Sequence, residues 1–277
     1  MLIFDIGSHM FDFTEKCIHK YPNCKVVAVD VLTPALALKG KLKKLEDSVI
    51  FLNKAVSDSD GELKKIYVNQ TEPGMTTASE YFKENSRFVK GNSQILENYA
   101  SQATIYALDK YGVKKPITNP PVSLFSKALI AQHGSIENFL KKQVIYQTTY
   151  AETITLDTMI QEYGEPDLIK IDVEGYENVV LAGLSAKTNK VCFEWAEEVD
   201  YVLHESLNRL EKLGYKEFSI RGRFEDENKY EFLIYDDEGD THLKEPLQYH
   251  SIEEIKSELD AAIEPQRKIS WGMCWAK

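Results

Sequence analysis

Short apolar runs alternate with amphipathic runs from the first residues of the chain. Apolar positions dominate residues 2–5, 25–30 and 49–55, whereas residues 11–19 and 34–45 repeat apolar side chains at helical spacing. Apolar strands that alternate with helices are typical of a mostly parallel sheet with helices on both faces. The pattern therefore predicts an α/β fold, in which a ligand binds beyond the carboxyl ends of the strands.

The same two periodicities return later in the chain. Further strands are predicted at residues 63–68, 167–172, 190–194, 218–220, 230–235 and 269–275, and further helices at residues 177–184 and 199–213. The strand at residues 63–68 is expected to be antiparallel because it follows Asp60-Gly61, a pair typical of a tight turn.

Residues 70–150 interrupt this alternation. Three helical patterns separated by prolines occupy the segment, near residues 92–110, 122–132 and 135–142, with Pro116, Pro120 and Pro121 between them. We therefore predict a single domain over residues 1–277 with a helical insertion at approximately residues 70–150. Such an insertion either covers the site as a lid or forms an oligomerisation surface, so a homo-oligomer is one expectation.

Acidic residues outnumber basic ones, 44 against 33, which gives a formal net charge of −11. Proteins that bind nucleic acid through its phosphates carry a basic face, so this balance argues against a nucleic-acid partner. No stretch approaches the roughly 20 apolar residues that a membrane span requires. The first residues also lack the basic and apolar regions of a secretion signal, so we expect a cytoplasmic protein without a membrane span.

Four of the predicted strands end in an acidic residue. These residues are Asp5, Asp30, Asp172 and Glu194. Carboxylates gathered at one edge of a sheet repel one another, so they need a cation, hydrogen-bond donors or solvent beside them. The four positions therefore predict a ligand site, although for each acid taken alone capping the following helix is an equally good interpretation.

The first strand turns directly into a helix at Gly7. Glycine lets the backbone pass close to a bound nucleoside or amino acid. Dinucleotide-binding turns carry three glycines, whereas this turn has one, so a ligand without a pyrophosphate fits better. Asp30, at the end of the second strand, can accept hydrogen bonds from both hydroxyls of a ribose, a role that several cofactor classes share.

A longer series of motifs occurs in one order along the chain. The motifs are Phe4-Asp5-Ile6-Gly7, residues 53–58, Leu156-Asp157-Thr158, residues 167–177 with Lys170-Ile171-Asp172-Val173-Glu174-Gly175 at their centre, Val180-Leu181-Ala182-Gly183 and Phe193-Glu194-Trp195. In this combination the chain resembles the FkbM family of methyltransferases. The resemblance covers most of the chain but leaves out residues 90–145 and much of the C-terminal tail.

The resemblance implies a class I methyltransferase fold, which is Rossmann-like, and binding of S-adenosylmethionine (SAM). It places Asp5, Gly7 and His9 at the methionine part of SAM and Asp30 at the ribose. Ala55 and Val56 are expected near the adenine, and Asp172 nearest the transferred methyl. Ser8 completes the expected cofactor-binding set. One position departs from the family, because Phe11 stands where a second glycine is common. The departure puts the contacts of residues 8–11 in question more than the fold.

An alcohol is a poor nucleophile near neutral pH, so methyl transfer to oxygen needs a base. Asp172 is the first candidate, and Glu174, Glu194 and Glu177 are alternates. These acids could also hold Mg²⁺ through oxygen, although their spacing does not require a metal, and we expect none. A lysine inside a central strand needs a partner, so Lys170 either pairs with one of the acids or extends its amine to water.

The sequence therefore predicts a SAM-dependent O-methyltransferase that acts on a hydroxyl of a sugar, a glycan or a small hydroxylated metabolite. The alternatives are an N-methyltransferase, a nicotinamide-dependent oxidoreductase and a catalytically idle binding subunit. Trp195 could stack on an acceptor sugar or pack in the core, whereas Trp271 and Trp275 are expected in the core. At least one hydroxyl of residues 73–79 is expected to cap a helix.

Overall fold

The computed structural model describes most of the chain. The described residues are 1–32, 45, 47–70, 73–86, 96, 99–101, 103–108, 114–143, 146–196, 199–223, 248–262 and 271–277. The predicted strand at residues 230–235 and all but the last residue of the predicted helix at 34–45 lie outside these ranges.

The elements begin with a strand and alternate as the sequence predicts. In chain order they are β1 (Leu2–Ile6), α1 (Asp12–Lys20), β2 (Lys25–Val29), β3 (Val49–Leu52), β4 (Ala55–Val56), β5 (Leu63–Asn69), a 3-10 turn (Pro73–Met75), α2 (Glu80–Asn85), β6 (Thr104–Leu108), β7 (Lys114–Thr118), α3 (Val122–His133), α4 (Ile136–Gln143), β8 (Tyr146–Ile154), α5 (Leu156–Tyr163), β9 (Leu168–Ile171), α6 (Glu177–Ala182), β10 (Val191–Ala196), α7 (Asp200–Lys212), β11 (Phe218–Arg223), α8 (Ile252–Ala262) and β12 (Trp271–Ala276).

Seven strands form the main sheet, in the order β11-β12-β10-β9-β1-β2-β3. The five strands from β10 to β3 are parallel to their neighbours, and β12 is antiparallel to both β10 and β11. The strand order reverses between β1 and β9, so the connections that leave their carboxyl ends run in opposite directions and leave a crevice where α/β sheets bind ligands. The predicted α/β class and mostly parallel sheet are confirmed.

Side chains of β1 alternate between the two faces of this sheet, as the pleat requires. Phe4 and Ile6 enter the larger hydrophobic core, whereas Ile3 enters a second core on the opposite face. Both faces are therefore covered, which explains why the central strands are apolar at nearly every position. Trp195 is 4% exposed and Trp275 is 2% exposed, so both tryptophans pack in the core. The side chain of Trp271 lies outside the described part.

A second sheet has the order β4-β8-β5, and β6 pairs with β7 in a separate hairpin. Two predictions are wrong here. Residues 49–55 do not form one strand, because β3 ends at Leu52 and Ala55–Val56 join the second sheet as β4. Residues 104–108, expected within a helix, form β6, where they pair with β7 instead of folding locally.

The nine-residue strand β8 was not predicted. It begins within residues 70–150 and ends at Ile154, and its first five residues are only partly buried or exposed, so it lacks the apolar run of a central strand. It is antiparallel to β5 over seven residue pairs, which confirms the antiparallel strand predicted after Asp60-Gly61. Helices α3 and α4 confirm two of the three helical patterns in the same segment.

Among the described residues, no helix combines the length and the apolar character that crossing a bilayer requires.

Candidate active site

The turn after β1 is tied to the ends of both neighbouring strands. The amide nitrogens of Gly7 and Ser8 donate to the carbonyl oxygen of Val29 at 2.9 and 3.1 Å, and the Asp172 amide donates to the carbonyl of Ile6 at 3.0 Å. The carboxyl ends of β1, β2 and β9 therefore meet at one place. This is the edge at which the strand-end acids were expected to gather.

Gly7 permits the closest of these approaches. Its φ of 76° lies in the left-handed region, and a Cβ added there would collide with the carbonyl oxygen of Asp172. The sequence suggested that Gly7 makes room for a ligand. The structure shows that it makes room for the backbone of Asp172, which carries the proposed base.

His9 and Phe11 also adopt positive φ, 44° and 62°. The Phe11 ring is fully buried and meets Phe51 edge-on, with ring centroids 5.4 Å apart. The family's second glycine is thus replaced by a residue that keeps a glycine-like backbone and places its ring in the core. His9 is exposed, and its backbone amide, rather than its imidazole, binds Asp30.

Asp30 connects this turn to the loop after β2. Its two carboxylate oxygens accept from the amides of His9 and Leu32, each at 2.8 Å. Burial raises the pKa of Asp30, and the two amides act in the opposite direction. Asn53, which follows β3 and was assigned no role from the sequence, donates its side-chain amide to the Asp30 carbonyl at 3.0 Å. The sequence feature that could have identified Asn53 is its position as a polar residue directly after a third parallel strand.

Lys170 joins two of the strand-end acids. Its Nζ lies 3.2 Å from Oδ1 of Asp5 and 3.4 Å from Oδ2 of Asp172, and it donates to the carbonyl of Gly7 at 2.9 Å. Burial alone lowers the pKa of Lys170, but the carboxylates of Asp172 and Asp5 more than offset this, so the pKa is raised. Of the two alternatives that the sequence leaves open for Lys170, the structure shows the pairing with acids.

Asp5 is enclosed by this network. It has no exposed surface, and its other oxygen, Oδ2, accepts from the hydroxyl of Thr14 at 2.6 Å. Asp5 and Lys170 face each other in the register of β1 and β9, so adjacent central strands carry the two charges. In this position Asp5 is connected to the turn after β1 through Lys170.

Three carboxylates meet at the carboxyl ends of β9 and β10, two from residues that follow β9 and one from Glu194 within β10. Oxygen atoms of Asp172, Glu174 and Glu194 all lie within 4.8 Å of one another. Asp172 and Glu174 are partly exposed, and Glu194 is buried. These are the three residues that the sequence proposed for catalysis, and the fold brings them together. Such a group can take a proton, bind a cationic ligand or coordinate a hard metal ion.

The turn from Glu174 to Glu177 is fixed from both sides. Glu174 has a φ of 56°, and its carbonyl accepts from the Thr77 hydroxyl at 2.7 Å. Oε1 of Glu177 accepts from the amides of Val173 and Gly175, at 3.0 and 3.3 Å. Glu177 is 2% exposed, and burial raises its pKa to about 7. Glu177, an alternate base in the sequence prediction, therefore shapes the turn instead of facing an acceptor.

Helix α2 packs on this turn through Phe82. A Cβ added at Gly175 would lie 2.9 Å from the ring of Phe82. Ser79 caps α2 by accepting from the Phe82 amide at 3.1 Å, which confirms the predicted capping hydroxyl. Ala55 and Val56, expected near the adenine, are both buried on β4, directly after the carboxyl end of β3.

The comparison with protein families decides between the methyltransferase and the oxidoreductase that the sequence left as alternatives. A model described as the methyltransferase FkbM domain matches residues 5–217. The chain belongs to the FkbM methyltransferase family. The protein is therefore a SAM-dependent methyltransferase with a Rossmann-like fold, and the oxidoreductase interpretation is set aside. The match includes residues 90–145, which the motif resemblance left out.

Two further comparisons accompany this FkbM assignment. No curated protein matched the chain by sequence. Among solved structures, the precorrin-6y C5,15-methyltransferase of Geobacter metallireducens GS-15 is similar with a TM-score of 0.35 and 10% identity, over 100% of this chain and 81% of that one. The family match and the observed strand order carry the fold assignment.

Proposed function

We propose that this FkbM methyltransferase transfers a methyl group to the oxygen of a hydroxyl on a sugar, a glycan or a small hydroxylated metabolite. The observation that carries the proposal is the group of carboxylates formed by Asp172, Glu174 and Glu194 at the sheet edge. Asp172 is positioned in this group by Lys170. A fixed carboxylate at that place can accept the proton that a hydroxyl loses as it becomes a nucleophile.

The residues at the ends of β1 and β2 fit SAM. Ser8 is 4% exposed, and its buried hydroxyl completes no hydrogen bond within the described residues, so this group can bind a ligand. Each Asp30 oxygen keeps a second lone-pair site for a ribose hydroxyl. Gly7, Ser8 and His9 would hold the methionine part, with Asp5 acting through Lys170, and Ala55 and Val56 would lie near the adenine.

When bound, SAM supplies a methyl group on a positively charged sulfur, and the neutral thioether is the leaving group. The chain's own residues orient the acceptor and receive its proton. Asp172 is the proposed base, with Glu174 and Glu194 beside it. Lys170 favours the ionised form of Asp172 because its ammonium lies 3.4 Å away. Asp172 is therefore kept as a carboxylate able to take a proton.

The same group of carboxylates bears on the alternative, N-methylation. Three carboxylates within 4.8 Å of one another would hold an amine as its ammonium, which has no lone pair to attack with. A neutral hydroxyl gains more from a nearby carboxylate, because it must lose its proton during the reaction. We therefore favour oxygen over nitrogen.

The cysteines and the net charge bear on the compartment and on the class of acceptor. All four cysteines are buried thiols, which suits a reducing compartment, and we propose a cytoplasmic enzyme. The formal charge of −11 supports an acceptor other than nucleic acid. Residues 70–150 would either cover the site as a lid or form the surface of a homo-oligomer.

Ligand-dependent melting tests the cofactor. SAM or S-adenosylhomocysteine should raise the melting temperature, and NAD should not, because only a ligand of the folded state stabilises it. Asp30→Ala should reduce this shift, since it removes the carboxylate that holds the amides of His9 and Leu32. A shift with NAD alone would contradict the proposal.

Labelled methyl transfer tests the chemistry. With methyl glycosides, oligosaccharides, small alcohols and amino sugars as acceptors, label should appear on oxygen. Asp172→Asn should lower kcat by about 10²–10⁴-fold while changing S-adenosylhomocysteine affinity much less. Asp47→Asn, at an exposed turn, is the matched control. Full turnover of Asp172→Asn would remove Asp172 as the base, and label on nitrogen would favour the alternative.

A further inference from the structure

Two exposed tyrosines form an aromatic pair on the helices that flank the active-site turn. Tyr81 lies in α2, and Tyr201 lies in the first turn of α7. Their ring centroids are 5.5 Å apart, and the planes of the two rings meet at 89°. Tyr81 is 49% exposed and Tyr201 is 39% exposed, so a large part of each residue faces solvent. We call Tyr81 and Tyr201 the tyrosine pair.

Packing beneath the tyrosine pair holds its two helices together. Phe82 follows Tyr81, Val202 follows Tyr201, and the side chains of Phe82 and Val202 belong to one buried hydrophobic cluster. Burial raises the pKa of Tyr201, and a hydrogen bond with the side chain of Ser79, the N-cap of α2, acts in the opposite direction. The tyrosine pair is therefore held in one arrangement by contacts between α2 and α7.

The tyrosine pair adjoins the turn that carries Glu174. A Cβ added at Gly175 would lie 2.9 Å from the ring of Phe82 and 3.0 Å from its Cβ. Tyr81 precedes Phe82 and Glu174 precedes Gly175, so the Cα atoms of Tyr81 and Glu174 are at most about 14 Å apart, since neighbouring Cα atoms are separated by about 3.8 Å. Two linked sugar rings can span such a distance.

The tyrosine pair also adjoins the strand that carries Glu194. Glu194 and Ala196 both lie at the carboxyl end of β10. Ala196 packs in the same buried cluster as Val202, which follows Tyr201 in α7. Oxygen atoms of Glu194 and Glu174 lie within 4.8 Å of each other, so both approaches lead to the same group of carboxylates.

The surface around the tyrosine pair fits a sugar ring. Sugars present C–H groups on a ring face and hydroxyls at the ring edge, and a tyrosine offers an apolar ring of large area at small entropic cost. Glu205, one helical turn after Tyr201, is exposed and accepts from the side-chain amide of Asn178. A carboxylate has further lone-pair sites that can accept from sugar hydroxyls. Trp195, for which the sequence left stacking open, is buried instead.

We propose that Tyr81 and Tyr201 form a stacking subsite for the sugar ring next to the one that is methylated, so that the acceptor is an oligosaccharide or a glycan. The inference rests on the proposed function and narrows its acceptor. One ring presents its hydroxyl to Asp172, and the neighbouring ring lies on the tyrosine pair with Glu205 at its edge. A single sugar ring cannot occupy both places.

Labelled methyl transfer from SAM to acceptors of one and two rings tests the subsite. The single-ring probes are methyl β-D-glucopyranoside and methyl β-D-galactopyranoside, and the two-ring probes are methyl β-cellobioside, methyl β-maltoside and methyl β-lactoside. Tyr81→Ala and Tyr201→Ala each remove one aromatic ring, whereas Tyr81→Phe keeps the ring. Tyr150→Ala removes a tyrosine that is 62% exposed on β8 and is the matched control.

Wild type should have a kcat/KM about tenfold higher or more for the best two-ring probe than for the best single-ring probe. Each of Tyr81→Ala and Tyr201→Ala should lower kcat/KM for the two-ring probe by about tenfold, mainly through KM, and change it by less than about twofold for the single ring. Tyr81→Phe and Tyr150→Ala should behave as wild type. The dissociation constant of S-adenosylhomocysteine should stay unchanged in every variant, which also shows that they are folded.

Some results would overturn the inference while the proposed function stands. They are equal kcat/KM of wild type for single-ring and two-ring probes, an unchanged KM for the two-ring probe in both alanine variants, or an equal loss for both kinds of probe in these variants. If wild type binds S-adenosylhomocysteine but methylates no hydroxyl of any probe, the proposed O-methylation of sugars fails, and the subsite fails with it.

Discussion

Lys170 and Asp172 form an ion pair of 3.4 Å around the end of the central strand β9. Lys170 also contacts Asp5 on the neighbouring strand β1, so one buried ammonium serves two carboxylates. The lysine therefore links the core of the sheet to the proposed base. Removing its charge would leave both carboxylates without that compensation.

Lys170→Met should lower the free energy of unfolding by about 3–5 kcal/mol, because it leaves the buried Asp5 uncompensated. Chemical denaturation measures this change. Lys25→Met, which removes an exposed lysine from the start of β2, should stay within about 0.5 kcal/mol of wild type.

The double variant Lys170→Met with Asp5→Asn checks the cause of that loss. It removes the buried carboxylate together with the lysine, so part of the lost stability should return. If the double variant is no more stable than Lys170→Met, the loss comes from packing and not from charge.

Glu177→Gln should change how stability depends on pH. The pKa of Glu177 is raised from 4.5 to about 7 in the folded protein, so between these values the folded state holds a proton that the unfolded state has released. The contribution of Glu177 is fully present below pH 4.5 and is lost as pH rises through about 7. Wild type should lose on the order of 3 kcal/mol from this group over that range, and Glu177→Gln should not.

Urea denaturation at a series of pH values measures the difference. Glu253→Gln, in the first turn of α8 and exposed, is the control and should keep the wild-type profile. Parallel profiles of wild type and Glu177→Gln would show that the Glu177 carboxyl group does not titrate in this range. The Glu177 side chain would then stay ionised over this range, and as a carboxylate it would accept the hydrogen bonds from the amides of Val173 and Gly175.

The sequence predicts the main sheet because its signals are local. The apolar runs that became β1, β2, β9 and β10 carry their own pattern, and acids lie near or just after their carboxyl ends, where ligands bind in such folds. Asp172, Glu174 and Glu194 were therefore placed together from sequence alone. The sequence left two alternatives for Lys170, pairing with an acid or extension to water. The register of β1 against β9, which places Asp5 opposite Lys170, decides for the pairing.

The second sheet depends on contacts distant in sequence. Tyr146 begins a strand with little apolar pattern, and its neighbours Asn69 and Ser86 come from two other elements. The β-branched and aromatic residues between Tyr146 and Ile154 were a usable strand signal. No local pattern, however, shows that the start of this strand pairs with Asn69 at the end of β5.

Gly7→Ala should be more harmful than Gly61→Ala, although the two glycines have nearly equal φ values of 76° and 73°. A Cβ at Gly61 meets nothing within 4 Å, so only backbone strain remains, of about 1–2 kcal/mol. At Gly7 the added Cβ also collides with the Asp172 carbonyl, which raises the loss to about 2–5 kcal/mol. Only Gly7→Ala should weaken S-adenosylhomocysteine binding. Equal losses in denaturation would show that the turn relaxes freely away from Asp172.

Removal of divalent metal should leave methyl transfer unchanged. Lys170 already offsets part of the negative charge near Asp172, and SAM brings a further positive charge, so the carboxylates do not require a metal ion. Assays with EDTA and then with added Mg²⁺ should therefore agree within about twofold, a difference below about 0.5 kcal/mol in activation free energy. Loss of activity with EDTA and its return with Mg²⁺ would instead identify Asp172, Glu174 and Glu194 as a metal site. In that case Glu194→Gln should weaken Mg²⁺ activation, because it removes one charged oxygen ligand.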